Sequence, residues 1–335
     1  VAVIGFFFLT GMRCKYMLLG WITISTMWYS CTTDFEVTAP YKDIPVVYGL
    51  LNASDSIQYI RIQKVFLGKG NALEMAQNPD SIYYPDILDV MLEEYSSGGT
   101  LLRIIPLLRD TLPKESGLFA SSPHIIYRTQ GEKILTSCHY RLIIHNRESG
   151  AIYTSQTEVV DDLNVIKPTP FPAQINWLGF PYAIEYSTMP EGYLYQLIIR
   201  FYYTERNIYT NDIQLKYLDW KFPERTKEHA SSFTIGNYDF FIFVASQLDP
   251  DPNVKRHAVE FEFYFHVAGQ SLYDYMVVNT SHSGINQEVP LFTNISNGLG
   301  IFSSRNVKII RDKYLSPESE HELIFGPITG NLGFE

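Results

Sequence analysis

Cysteine is nearly missing from this chain, with three residues in 335, at positions 14, 31 and 138. Cys14 and Cys31 fall near the start, so the body of the chain holds only Cys138 and can form no internal disulfide. Its fold must rest on packing alone. Positive charge is scarce as well, 26 Lys and Arg against 36 Asp and Glu. Such a surface repels phosphate backbones, which argues against nucleic acid as a partner, and it is a poor match for anionic lipid. Uninterrupted hydrophobic runs are lacking too. A bilayer span takes about 20 apolar residues, and Val1 to Tyr29 reaches that length only by burying Arg13 and Lys15. Gly-x-Ser-x-Gly, His-Glu-x-x-His and phosphate loops are absent, and Gly68-Lys69-Gly70 is too short to cradle a phosphate. No internal repeat or low-complexity tract occurs. The sequence therefore assigns no reaction, no catalytic residue and no cofactor.

What is present is organised around residues 12–36. Arg13 and Lys15 precede an apolar run from Tyr16 to Ile24, followed by the small polar residues Ser25, Thr26 and Ser30, and then Cys31. A basic start, an apolar stretch of about 10 residues and a processing site are the parts of a secretory signal. A cysteine at that site predicts a lipoprotein signal. Residues 1–30 are then removed, with residues 1–11 read as upstream sequence and Met12 as the start. Cys31 becomes the diacylated N-terminus and holds the protein to a membrane through its acyl chains. A plain signal peptide and an uncleaved anchor are the alternatives, and the bulky Trp28 and Tyr29 sit where such sites prefer smaller residues. Loss of Arg13 and Lys15 leaves 24 basic residues against 36 acidic, a charge of −12.

Aromatic residues make up 15% of the chain, with 24 Tyr and 21 Phe, a composition that favours strands. Residues 31–44 read as a tether. Short alternating segments then follow at Pro45–Leu51, Ser56–Phe66, Leu88–Tyr95, Thr100–Leu108, Ile125–Arg128, Cys138–Ile144 and Ala151–Val160. This rhythm predicts an Ig-like β-sandwich over 45–166. Either face of Ser56–Phe66 could be the inner one. Three prolines in residues 167–173 predict a stiff linker, and 174–335 reads as a second β-rich domain with a few short helices. There Tyr193–Thr204 pairs with Ile213–Trp220. Tyr238–Leu248 and Ser271–Asn279 have helical spacing, the first capped by Asn237. Ala258–Val267 is the best-patterned strand. Phe261, Phe263 and Phe265 share a face expected to pack on one of the two helices, while Glu260, Glu262, Tyr264 and His266 share the wetter face. The expected fold is mainly β, in two sandwich-like domains.

Candidate chemistry is thin. Asp249, Asp251 and Asn253, with Glu260 further on, echo a calcium loop, but Val254 stands where that loop needs glycine and two prolines stiffen it. A solvated turn explains the same residues. Cys138 shares a strand face with Tyr140, Leu142 and Ile144, whereas His139 and His145 point the other way, so thiol and imidazole do not meet. Trp177 and Trp220 fit a sugar-stacking platform or an aromatic core. Carboxylates are plentiful enough for a glycosidase pair. A secreted hydrolase of glycans or peptides is therefore the rival to a binding protein.

Three stretches together carry a resemblance: the Cys31 start, the strand and helix around Ala258–Asn279, and Asn294-Ile-Ser-Asn-Gly-Leu-Gly-Ile-Phe302. The last is similar to an Asn-Ile-x-x-Gly-Leu-Gly-x-Phe signature of an uncharacterised family of Bacteroidota outer-membrane lipoproteins, whose members tend to be encoded beside TonB-dependent receptors. The resemblance implies two β-rich domains, an outer-membrane setting and a partner receptor, and it supplies no catalytic residue. Asp34 and Glu36 resemble the acidic signal that sends such lipoproteins to the cell surface. Asp55-Ser56-Ile57, Asp80-Ser81-Ile82 and Asp110-Thr111-Leu112 resemble an O-glycan acceptor of that phylum, making Ser56, Ser81 and Thr111 candidate sites. On its own residues, Gly298-Leu299-Gly300 reads as a closing turn, with a ligand-binding loop as the alternative.

Overall fold

A computed structural model describes residues 43–65, 72–113, 124–229, 231–280 and 292–335. Cys31, Asp34 and Glu36 lie outside the described residues. Alternation decides the strands. In β1 (Pro45–Leu51) every second residue is buried, with Val47 and Leu51 inward. In β2 (Tyr59–Lys64) Ile60 and Ile62 enter the core and Tyr59 stays out, which settles the inner face. Two short helices follow, α1 (Ala72–Gln77) and α2 (Pro79–Ile82). At the second, the Asn78 side chain accepts from the Asp80 N–H at 3.0 Å and caps the helix. A hairpin of β3 (Leu88–Ser96) and β4 (Leu101–Leu112) comes next, then β5 (His124–Arg128), β6 (Cys138–Asn146) and β7 (Ile152–Glu158).

The later strands are β8 (Val165–Lys167), β9 (Gln174–Ile175), β10 (Tyr182–Tyr186), β11 (Leu194–Asn207), β12 (Ile213–Lys221), β13 (Arg225–Thr226) and β14 (Ser232–Ile235). Helix α3 (Asp239–Gln247), β15 (Val254–Ala268), α4 (Gln270–Thr280), β16 (Leu299–Leu315) and α5 (Pro317–Phe325) complete the order. The protein is mainly β with a few short helices. One sheet runs β12-β11-β15-β16-β1-β2-β5-β4-β3-β6-β7, with β13 on β11 and β9 on β16, and a small sheet runs β14-β10-β8.

Two cores form on this framework. The first is aliphatic and includes Val47, Ile60, Leu92, Leu142 and Ile144. The second is aromatic, with Phe201, Phe240, Phe241, Phe261, Phe263 and Phe265. Phe201 stacks on Phe261 at 4.9 Å between centroids, and Phe240 meets Phe261 edge-on at 5.2 Å. The phenylalanine face of β15 therefore packs on α3. Helix α4 lies instead along β16, where the Leu272 N–H donates to Ser303 Oγ at 3.1 Å.

Strand β16 joins the two cores. From Leu299 to Ser304 it pairs in parallel with β1, and from Arg305 to Lys313 antiparallel with β15. The Asn-Ile-x-x-Gly-Leu-Gly-x-Phe residues secure its start. Asn294 uses its side-chain amide as a strand would, accepting from Phe302 N at 2.9 Å and donating to Phe302 O at 2.6 Å. Gly300 holds φ +99°, and a Cβ there would overlap the Val47 carbonyl. Ile295 and Phe302 are both buried in the first core. The motif closes a packed joint.

Four local expectations are corrected. The cap of α3 is Tyr238, at φ 68°, without a side-chain bond; Asn237 donates instead to Gly179 O at 3.0 Å. Glu262, expected on a wet face, is only 9% exposed and accepts from Tyr202 at 3.0 Å, from Arg311 at 2.9 Å and from Tyr264. The stretch 167–173, expected as a linker, is tied to β16 by buried Lys313, whose ammonium donates to the carbonyls of Thr169, Pro170 and Pro172 at 2.6, 2.9 and 3.1 Å. Prolines bring carbonyls without N–H groups to satisfy them, and the lysine supplies the donors. Burial lowers the Lys313 pKa. Trp177, a candidate ligand platform, is 1% exposed and stacks on Phe240 at 5.5 Å. No helix among the described residues is long and apolar enough to cross a membrane.

Candidate functional site

A polar cleft of roughly 830 Å³ lies where β6 and β7 face the loop before β11 and the start of α4. On one wall stand His139 and Glu158, and on the other Glu191 and Tyr193. Each wall has a local reason. His139 is the cross-strand partner of Tyr95, and their rings stack at 5.2 Å, which holds the imidazole at the cleft edge. The loop carrying Glu191 is pinned by Tyr195, whose hydroxyl accepts from Met189 N at 3.0 Å and donates to Gly192 O at 3.3 Å. The α4 start is held against β16 by the Gly269 N–H bond to Ser304 O at 2.9 Å. A Cβ at Gly269 would stand 2.9 Å from Ser304 Oγ, so glycine permits the close approach. Asn294 also reaches this cleft, placing the signature asparagine at its edge.

Among the described residues, the carboxylates of Glu158 and Glu191 enter no ion pair or side-chain hydrogen bond. Thr157 Oγ1 donates to the Glu158 carbonyl at 2.9 Å. No serine or threonine of the cleft bonds a histidine, so the nucleophile and base of a triad are not assembled there. The cleft presents hydrogen-bonding groups and two unpaired carboxylates to a polar ligand.

The candidates from the sequence lie elsewhere. Buried Trp177 meets half-buried Trp220 at 6.0 Å at the edge of the aromatic core, and Trp220 stacks on Phe243 at 5.2 Å. Their faces are spent on packing, which removes the platform. Asp251 accepts from Asn253 N at 2.9 Å, and Asp249 O accepts from Arg256 at 3.3 Å. These residues form an exposed Asx turn, and no metal-holding group of His, Cys, Asp and Glu exists among the described residues. Cys138 is buried among aliphatic residues, with His139 turned away. Ser56 lies in an exposed turn, Ser81 is half-buried in α2, and Thr111 is exposed within β4, opposite Ile125. His139, Glu158 and Glu191 escape sequence reasoning as one site because they come from segments far apart in the chain, and none of the three belongs to a motif.

No family model matches the chain, and no curated protein does. Among solved structures it is weakly similar to a cytokine receptor complex, at 10% identity and a TM-score of 0.23, over 82% of this chain and 99% of that one. A trypsin-activated alpha-2-macroglobulin from Escherichia coli matches at 8% identity and a TM-score of 0.18, over 68% of this chain and 14% of that one. Likeness at this level carries no argument about function.

Proposed function

We propose that this chain is a surface-exposed outer-membrane lipoprotein that binds rather than catalyses. The acyl chains on Cys31 anchor it, Asp34 and Glu36 act as its export signal, and it serves a TonB-dependent receptor in nutrient uptake. Its ligand is a glycan or peptide segment held in the polar cleft. The observation that carries the binding reading is the cleft itself, polar on both walls.

Detergent-solubilised outer membrane tests this directly. The protein should co-purify with a receptor after mild crosslinking, and Cys31→Ala should lose both an alkyne fatty-acid label and membrane sedimentation. Recovery of the protein alone, or an unlabelled wild type that still sediments, contradicts the reading. The rival is a hydrolase, favoured by the presence of Glu158 and Glu191 in one cleft. Cleavage of a glycan or peptide panel that disappears in both Glu158→Gln and Glu191→Gln would establish the rival.

A further inference from the structure

A second concavity lies on the face of β1 and β2 opposite Val47 and Ile60 of the aliphatic core. Helix α4 packs on β16, and the hollow beside it, about 350 Å³, is lined by Tyr48, Tyr59, Tyr275, Asp55 and Arg305. A smaller hollow of about 170 Å³ adjoins it, sharing Leu50, Leu272 and Arg305 and reaching His266. The helical stripe Leu272, Tyr275 and Met276 faces these two spaces.

The charge pattern singles this place out. In a chain with more acids than bases, most of the described arginines are ion-paired with carboxylates, Arg103 with Glu94 and Arg200 with Asp219 among them. Arg305 forms no such pair among the described residues, although it is exposed and Asp55 lines the same hollow. Arg61 also lacks a carboxylate partner among the described residues. It is not part of the hollow's lining, but its guanidinium lies 4.6 Å from the Tyr48 ring centroid, and its buried Nε has no hydrogen-bond partner among the described residues. Arg305 thus lines a tyrosine-rich space with no carboxylate ion-paired to it among the described residues, and Arg61 lies over one of its tyrosines, Tyr48. Arg305 also acts on His266, whose pKa is lowered by burial first and by the arginine's charge second.

We propose that this hollow binds a small ring-bearing hydroxy acid. The Arg305 fork takes the carboxylate, Asp55 accepts a hydroxyl proton in a hydrogen bond, and the tyrosine rings cover the flat face of the ligand ring. An arginine fork matches carboxylate geometry bidentately. A hollow of this size, mostly apolar with a few convergent polar groups, is typical of small-molecule sites. The site is separate from the polar cleft, so the proposal stands whether or not the cleft reading does.

The test titrates the full chain by calorimetry with glucuronate, a saturated ring acid, and 4-hydroxyphenylacetate, an aromatic one. Methyl glucoside and tyrosol are the uncharged counterparts. At least one acid should bind saturably, and its uncharged counterpart at least about ten-fold more weakly. Which acid binds distinguishes a sugar from an aromatic ligand. Arg305→Gln should weaken that acid by about ten-fold or more with the unfolding midpoint unchanged, since the side chain is exposed and has no ion pair among the described residues. Tyr59→Ala, also at an exposed position, should weaken it several-fold. The proposal is overturned if neither acid binds the wild type, if the uncharged counterpart binds as well, or if Arg305→Gln binds like the wild type.

Discussion

Around Leu142 most of the buried residues are Ile, Leu and Val, with Tyr84, Tyr127, Tyr140, Tyr153 and Phe302 among them; around Phe263 phenylalanines gather with Trp177. Each core also carries a glutamate, and its position differs. Glu94 is 3% exposed and lies in the same alternating row as Leu92, facing inward, where Arg103 and Tyr140 donate to it. Glu262 lies on the opposite face from Phe261 and Phe263 and is covered by Tyr202, Tyr264 and Arg311. The comparison teaches that the aliphatic core admits a charge only with its partners in place. The aromatic core keeps its charge outside and roofs it with tyrosines.

The largest expected effects come from the hydrophobic contacts. Phe263→Ala should destabilise by about 3–5 kcal/mol and Leu142→Ala by about 2–5 kcal/mol, read from denaturant midpoints. Equal, small effects would break the comparison by showing that neither residue is a core contact. The glutamates come next. Glu94→Ala and Glu262→Ala should each cost about 1–3 kcal/mol, because each strands a tyrosine hydroxyl and an arginine. A neutral Glu262→Ala would return that residue to the wet face the strand alternation suggests.

Acid should separate the regions. Burial pushes the Glu262 carboxyl up, but hydrogen bonds from Tyr264, Tyr202 and Arg311 outweigh it, and the pKa ends below the ordinary value. Glu205 behaves alike, with burial opposed by Lys216 and Arg256. A carboxyl lowered in the folded state stabilises fully above its unfolded pKa of about 4.3. That contribution is lost as pH falls from there through the lower folded value. Tryptophan emission, reporting Trp177 and Trp220, should show stability falling in that window, and Glu262→Gln should flatten the fall. An unchanged slope would remove Glu262 from the account. The smallest effect belongs to the Asx turn. Asp251→Ala should change stability by less than about 0.5 kcal/mol, and added calcium should leave the melting temperature where it is.

Much of this fold was legible in strict alternation. The rows of β1, β6 and β15 follow from their residues, and Cys138 lies buried beside Tyr140 and Leu142 with His139 turned away. What escaped depends on partners distant in sequence. Nothing near Glu262 announces Tyr202 or Arg311, and nothing near Pro170 announces Lys313. The cleft is the same case, since His139, Glu158 and Glu191 have no spacing in common. The Gly298-Leu299-Gly300 turn was readable as a closing turn, but not as a joint between two cores, because its partner Val47 lies at the other end of the described chain.

That joint is the central claim: one strand, β16, ties the aliphatic core to the aromatic one. Gly300→Ala tests it, since the added Cβ would overlap the Val47 carbonyl at φ +99° and must disturb the parallel pairing with β1. Denaturant unfolding can be followed in both regions at once, by tryptophan emission for the aromatic core and by peptide-mapped thiol labelling of Cys138 for the aliphatic one. The account predicts that both probes shift to lower denaturant together. A variant in which Cys138 is exposed earlier while the tryptophan transition stays in place would contradict it.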